Sequence, residues 1–221
     1  MRSIFFILVL ISSLLSKAQE STVDYSTPDK RIQVSAAFGV WATKSAEGIL
    51  PFKHDNLGKS AEGFSWELQA LAYNKRKTLG LGGVFSHIMH SSQYNLAESC
   101  NLSAHTHLFY LAPQMSFPIK ETAFTPLTGY INWGLGTVYY HNTGFLANQA
   151  YKVNSIGLGI NGSIGLEYPF HDNYAIGIEG GVLFAHCGKL NHDITEKSYH
   201  PKYKKLNSWI MRLCISFKYW L

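Results

Sequence analysis

The chain has 221 residues, with 19 Lys and Arg against 14 Asp and Glu, 14% aromatics and 19 glycines. The basic excess is mild and evenly spread, which excludes a nucleic-acid-binding surface, and the length suits one domain. Aromatic and glycine richness favours strands and tight turns over helices.

Residues 1–19, MRSIFFILVLISSLLSKAQ, place Arg2 before an apolar run from Ile4 to Leu15 and a short polar exit ending in small residues. This is the layout of a secretory signal peptide, and the run is shorter than the roughly 20 apolar residues of a transmembrane helix. Cleavage near Ala18 or Gln19 removes Arg2 and Lys17, leaving 17 basic against 14 acidic residues, a mature charge of about +3. No cysteine follows the apolar run, which argues against a lipid anchor. No later run reaches transmembrane-helix length, so a membrane-resident mature chain must cross as strands.

Residues 20–31 read as a flexible lead-in to a domain over 32–221. From there period two recurs and no 3.6-residue apolar period holds over three turns. A first strand covers about Ile32 to Trp41, with Ile32, Val34, Ala36, Phe38 and Val40 on one face. A long polar loop leads to a second strand, about Gly63 to Tyr73, where Phe64, Trp66 and Leu68 oppose Ser65, Glu67 and Gln69. The NKRK turn gives a third strand, Thr78 to about Met89. A long loop, SSQYNLAESCNLS, precedes a fourth from about Ala104 to Met115, where Pro113 predicts a bulge or an irregular end. A fifth strand runs from about Leu127 to Tyr140, followed by a long loop from His141 to Asn154. The sixth and seventh are Ile156 to Tyr168 and a segment from Tyr174 through Phe184, joined by PFHDN. After a loop over Cys187 to Leu206, the last strand alternates Trp209, Met211, Leu213, Ile215, Phe217, Tyr219 and Leu221 with Ile210, Arg212, Cys214, Ser216, Lys218 and Trp220.

Long connections after odd strands and short turns after even ones predict an eight-stranded antiparallel up-and-down transmembrane β-barrel, all-β, with loops outside and turns in the periplasm. A soluble lipocalin-like barrel would need a polar exterior, and the polar faces here hold Gly, Ser and Asn with few Lys or Glu.

The segment GSIGLEYPFHDNYAIGIEGGVLF (162–184), followed by a loop and SWIMRLCISFKYW (208–220), resembles the closing half of small outer-membrane β-barrel proteins of Bacteroidota. The KAQ end of the leader and FYLAPQ in the fourth strand are similar to the same family. The resemblance implies an OmpX-sized barrel in a bacterial outer membrane and assigns no activity.

An eight-stranded barrel is only wide enough to be filled by side chains, so charges on the inner faces must pair. Glu67, Gln69, Glu167, Glu179, Arg212 and Lys218 are therefore expected to form a polar network that plugs the lumen, with Glu179 paired to Arg212 on the adjacent strand. Inward glycines make room for Trp41, Tyr73, Leu183 and Trp220, or leave a small cavity. Histidines gather at the loop end; among them His105, His107 and His186 are metal or catalytic candidates. His186 lies on the lipid-facing parity, where a lipid A deacylase would use His-x-Ser, but Gly188 stands in the serine position; His90-Ser91-Ser92 offers another such pair, in a loop and without a placed acid. Cys100 and Cys187 lie beside external loops and are a candidate disulfide, while Cys214 is a packed lumen filler. The expected role is structural or surface-interacting, as a monomer without a cofactor. Its expected contacts are outer-membrane lipid, lipopolysaccharide, and an extracellular ligand or partner protein met by the loops. A lipid A-modifying enzyme and a small pore are the alternatives.

Overall fold

The computed structural model describes residues 31–44, 50, 61–74, 77–97, 100–119, 127–146, 149–194 and 205–221. The expected signal peptide and lead-in up to residue 30 lie outside them. The elements are β1 (Ile32–Thr43), β2 (Ala61–Tyr73), β3 (Gly80–Ala97), β4 (Cys100–Ile119), β5 (Thr128–Leu146), β6 (Gln149–His171), β7 (Tyr174–Cys187), β8 (Asn191–Ile194) and β9 (Leu206–Trp220). Neighbouring strands pair antiparallel, and β9 returns to β1, so the sheet closes on itself. The barrel has eight strands as expected; the short β8 pairs only with the end of β6, over Tyr151 to Asn154, beyond the point where β7 stops.

The register fixes the barrel's dimensions. Following paired residues once round runs from Ala72 to Leu81, Met115, Trp133, Gly162, Val182, Met211 and Ala42, and returns to β2 at Glu62, ten residues from the start. Ten residues of stagger over eight strands correspond to a strand tilt of about 40° and a backbone radius of about 8 Å. That leaves an interior that side chains fill.

Every barrel strand turns its alternate apolar residues outward. Phe38, Val40, Leu68, Leu81, Leu111, Trp133, Ile156, Ile178, Leu213 and Ile215 are all exposed. Such a band would be unfavourable in water, and it is the lipid-facing surface of a transmembrane barrel. Tyr168, Tyr174 and Tyr219 edge it at the short-turn end, with Tyr174 and Tyr219 packed 5.0 Å apart. Trp66, Phe109, Tyr139, Phe184 and Trp209 edge it at the loop end. The aromatic residues Trp41, Tyr73 and Tyr140 point inward instead and are buried.

The sequence reading falls short at the loop end. Segments expected as loops, around 90–103 and 141–154, are largely strand: β4 has 20 residues and β6 has 23, against 12 in β1. Their outward residues there are mostly polar (His105, Thr143, Asn154, Lys152), with Phe145 an exposed exception, so no apolar alternation announces them, yet backbone pairing continues. Past the apolar band, which ends on β4 at Phe109, β3 to β6 rise about 20 Å further as a one-sided wall. Pro113 stays within β4 opposite Gly83. It has no N–H to donate, and the ladder to β5 skips Ala112 and Pro113 without a register shift.

Glycines on the inner face allow the tight curvature. A Cβ at Gly39 would run into the Leu213 carbonyl and the Cys214 backbone across the β1–β9 seam, whereas Gly162 and Gly180, on the outer face, have nothing nearby. Gly39→Val is expected to cost roughly 1–3 kcal/mol or more and to lower the folded fraction, read as loss of heat-modifiable mobility on a gel. Gly162→Ala should leave that fraction unchanged.

Candidate functional site

The interior is divided into two zones. In the half nearer the short turns the inner faces are polar. Arg212 of β9 reaches across the lumen, and its Nη1 donates to Glu67 Oε2 and to Ser86 Oγ, each at 2.7 Å. Its Nη2 donates to Asn161 Oδ1 at 2.9 Å. The Arg212 and Glu67 side chains are only 3% and 5% exposed. Nearer the turns, Lys218 Nζ lies 2.7 Å from Glu167 Oε2 and 3.3 Å from the centre of the Tyr130 ring. The Tyr130 hydroxyl donates to Glu179 Oε2 at 3.0 Å. Gly165 makes that possible, because a Cβ there would occupy the space of the Tyr130 ring. Ser35 Oγ donates to Gln69 Oε1 at 3.1 Å, and the Tyr73 oxygen lies 3.3 Å from Gln33 Oε1 and 3.1 Å from Ser116 Oγ.

Gln114, Asn132 and Ser163 share this zone. Asn132 is opposed by Ser116 on β4 and Ser163 on β6. The side-chain polar atoms of Gln114, Asn132 and Ser163 find no protein partner, an arrangement that internal water ordinarily satisfies.

Toward the loop end the interior becomes apolar. Trp41, Ile88, Leu108, Tyr110, Val138, Leu183 and Ile210 are buried against one another in one cluster. Trp41 Nε1 donates to the Met89 carbonyl at 2.9 Å, and the Trp41 ring meets His90 edge-on with centroids 5.7 Å apart. This cluster lies above the polar zone. At its loop-end margin the cluster takes in Cys187, the last residue of β7, and Tyr151, on the extension of β6; burial pushes the Tyr151 phenol up.

The six lumen residues expected from the sequence, Glu67, Gln69, Glu167, Glu179, Arg212 and Lys218, all face inward. The expected partnership is corrected: Arg212 pairs with Glu67, not with Glu179. In register Arg212 lies opposite Gly181 while Glu179 lies opposite Cys214, and the long guanidinium side chain spans to β2 and β3. Glu179 instead takes the Tyr130 hydroxyl. Tyr130, Ser86 and Asn161 escaped the sequence reading; their inward parity was legible, but cross-lumen contact leaves no mark on a linear chain.

The Cys100–Cys187 disulfide is also corrected. Cys187 is a free, buried thiol, because its parity on β7 turns it into the interior cluster; the side chain of Cys100 lies outside the described residues. Cys214 is a buried filler 3.9 Å from Ser65 Oγ.

The rim histidines separate into different pairs from those expected. His105 and His107 share a face of β4, but they do not act together: His105 Nδ1 lies 3.0 Å from Ser91 Oγ, and His107 Nδ1 lies 3.1 Å from His87 Nε2. His141 Nδ1 donates to Asn154 Oδ1 and His186 Nδ1 to Asn207 Oδ1, each at 2.5 Å. The serine position of a His-x-Ser pair at His186 is taken by Gly188, and the His186 ring bonds Asn207.

No protein-family profile matches the chain, and no curated protein matches it. Solved structures do. The surface protein A of Neisseria shares 15% identity at a TM-score of 0.52, with 86% of this chain and 96% of that one covered. A major outer membrane protein of Thermus thermophilus shares 13% identity at a TM-score of 0.56, covering 87% and 100%. These likenesses show the fold, a closed eight-stranded barrel whose structural neighbours are bacterial outer-membrane proteins.

Arg212→Ala leaves the Glu67 carboxylate buried without its cation, and a loss of roughly 3–5 kcal/mol is expected in urea unfolding of the refolded barrel. Replacing both, as Arg212→Met with Glu67→Leu, should cost much less, because no charge is then stranded.

Proposed function

We propose that the protein resides in a bacterial outer membrane and serves as a surface-contact barrel, closed to solute passage, whose projecting wall meets lipopolysaccharide. The observation that carries this reading is the division of labour along the barrel axis. Inside the membrane the lumen holds paired charges beneath an apolar cluster, an arrangement among the described residues that supports a lumen closed to solute. Beyond the apolar band, β3 to β6 continue as paired strands with His105, Thr143 and Lys152 outward. A long paired wall exceeds what membrane insertion alone needs, and it supplies a rigid surface at the level of lipid headgroups and sugars. The resemblance to small barrels of Bacteroidota and the outer-membrane structural neighbours support the same location.

One observation favours a second reading. Ser91 Oγ and His105 Nδ1 lie 3.0 Å apart on the outward face of β3 and β4, the spacing of a nucleophile and its base. An acyl-ester hydrolase acting on outer-leaflet lipid would use such a pair, with an orienting acid that the described residues do not provide. Its test is the acyl pattern of lipid A on expression: a shortened pattern restored by Ser91→Ala supports hydrolysis, and an unchanged pattern removes it.

For the main reading, the purified barrel should give no conductance steps in planar bilayers; discrete steps would refute a closed lumen. Adding lipopolysaccharide to the detergent-solubilised protein should raise its unfolding temperature. A variant with residues 94–103 replaced by a two-residue turn should fold yet lose that rise, and an equal response in both would discard the wall as the contact.

A further inference from the structure

His87 and His107 stand on the outward face of neighbouring strands, at the loop-end edge of the apolar band. The register places His87 opposite Phe109 and His107 opposite Met89, one diagonal step apart. Their nearest ring nitrogens, Nε2 of His87 and Nδ1 of His107, are 3.1 Å apart. Two imidazole nitrogens bound at about 2.0 Å to one metal ion are separated by about 2.8 Å at a right angle and about 3.3 Å at the tetrahedral angle. The observed spacing falls between those limits.

The rings are held in place before any ion arrives. His87 stacks on Phe109 with centroids 4.3 Å apart and planes 7° apart, and Trp66 meets its edge at 5.6 Å. His107 lies edge to edge with His87, 5.3 Å between centroids and 21° between planes, and has His141 on its other side, 6.3 Å between centroids. Aromatic packing on both flanks restricts ring rotation, so little ordering cost remains for the ligands. Among the described residues no group of three or more His, Cys, Asp or Glu converges on one point. An ion held by this pair therefore keeps exchangeable positions for water or a lipid oxygen.

We propose that His87 and His107 bind a divalent first-row transition ion on the outer surface of the barrel, Cu2+ more tightly than Zn2+ according to the general order for nitrogen donors. In the free pair one ring donates its N–H to the lone pair of the other. Binding moves that proton to the far nitrogen of the same neutral ring, so both facing nitrogens offer lone pairs and no net proton is released. The site is independent of the surface-contact reading, since it lies at the base of the wall and uses neither its tip nor the lumen.

The test is calorimetric titration of the full folded barrel in detergent micelles with Cu2+ and with Zn2+, alongside the electron paramagnetic resonance spectrum of the Cu2+ form. The expected result is one Cu2+ site whose spectrum shows nitrogen ligation. His87→Gln and His107→Gln should each weaken it at least about tenfold, the scale on which even outer-shell partners of a metal matter. Glutamine can keep a hydrogen bond across the pair, so gel mobility on heating should stay that of the folded barrel in both variants. His105→Gln and His186→Gln should bind Cu2+ as the parent does. Unchanged binding in the double variant at 87 and 107 would overturn the proposal and leave the contact as a hydrogen bond. Equal losses in the His105→Gln variant would also overturn it, in favour of diffuse binding by surface imidazoles.

Discussion

The constraint on which the rest of the structure depends is backbone satisfaction in lipid. An unpaired N–H or C=O facing hydrocarbon costs several kcal/mol, so the sheet must close, and the β1–β9 seam from Gln33–Trp220 to Ala42–Met211 is where it does. Closure with ten residues of stagger sets tilt and radius together. The radius in turn decides that the lumen is filled by side chains rather than by bulk solvent. The inward glycines belong to the same constraint, because at Gly39 the curved wall brings a neighbouring carbonyl to where a side chain would begin.

A filled lumen imposes its own chemistry. Charges inside a narrow barrel are far from water, and each needs a partner. Arg212 meets this by directing its fork at Glu67, Ser86 and Asn161 at once, tying β9 to β2, β3 and β6 across the interior. Lys218 does so with Glu167 and the face of Tyr130. These contacts connect strands that are not neighbours in the sheet. They brace the cylinder in a way that ladder hydrogen bonds cannot, and the apolar cluster around Trp41 and Tyr110 packs the loop-end half of the interior.

Outside the membrane the demands change. There the strands of β3 to β6 are free to carry polar residues on their outer face, and the rim collects imidazoles next to aromatic rings. Stacking of His87 on Phe109 and the chain of contacts onward to Tyr139 and His141 place polarizable, amphipathic groups at the boundary between hydrocarbon and headgroup. Residues with an apolar body and a polar tip suit that boundary.

The sequence by itself determined the alternation, and with it the fold. Ile156 to Tyr168 and Trp209 to Leu221 place one face in lipid and the other in the lumen, because side-chain period in a strand is two and a one-residue slip would invert every residue. The inward parity of Glu67, Glu167, Glu179, Arg212 and Lys218 followed from that rule alone. It could not reveal the strand extensions past Met89 and Tyr140, where paired backbone carries polar residues outward and the apolar signal vanishes. Nor could it choose between Glu67 and Glu179 as the partner of Arg212, join His107 to His87 rather than to His105, or turn Cys187 away from a disulfide. Each of those depends on stagger and on reach across the lumen, quantities fixed only when the eight strands close into one cylinder.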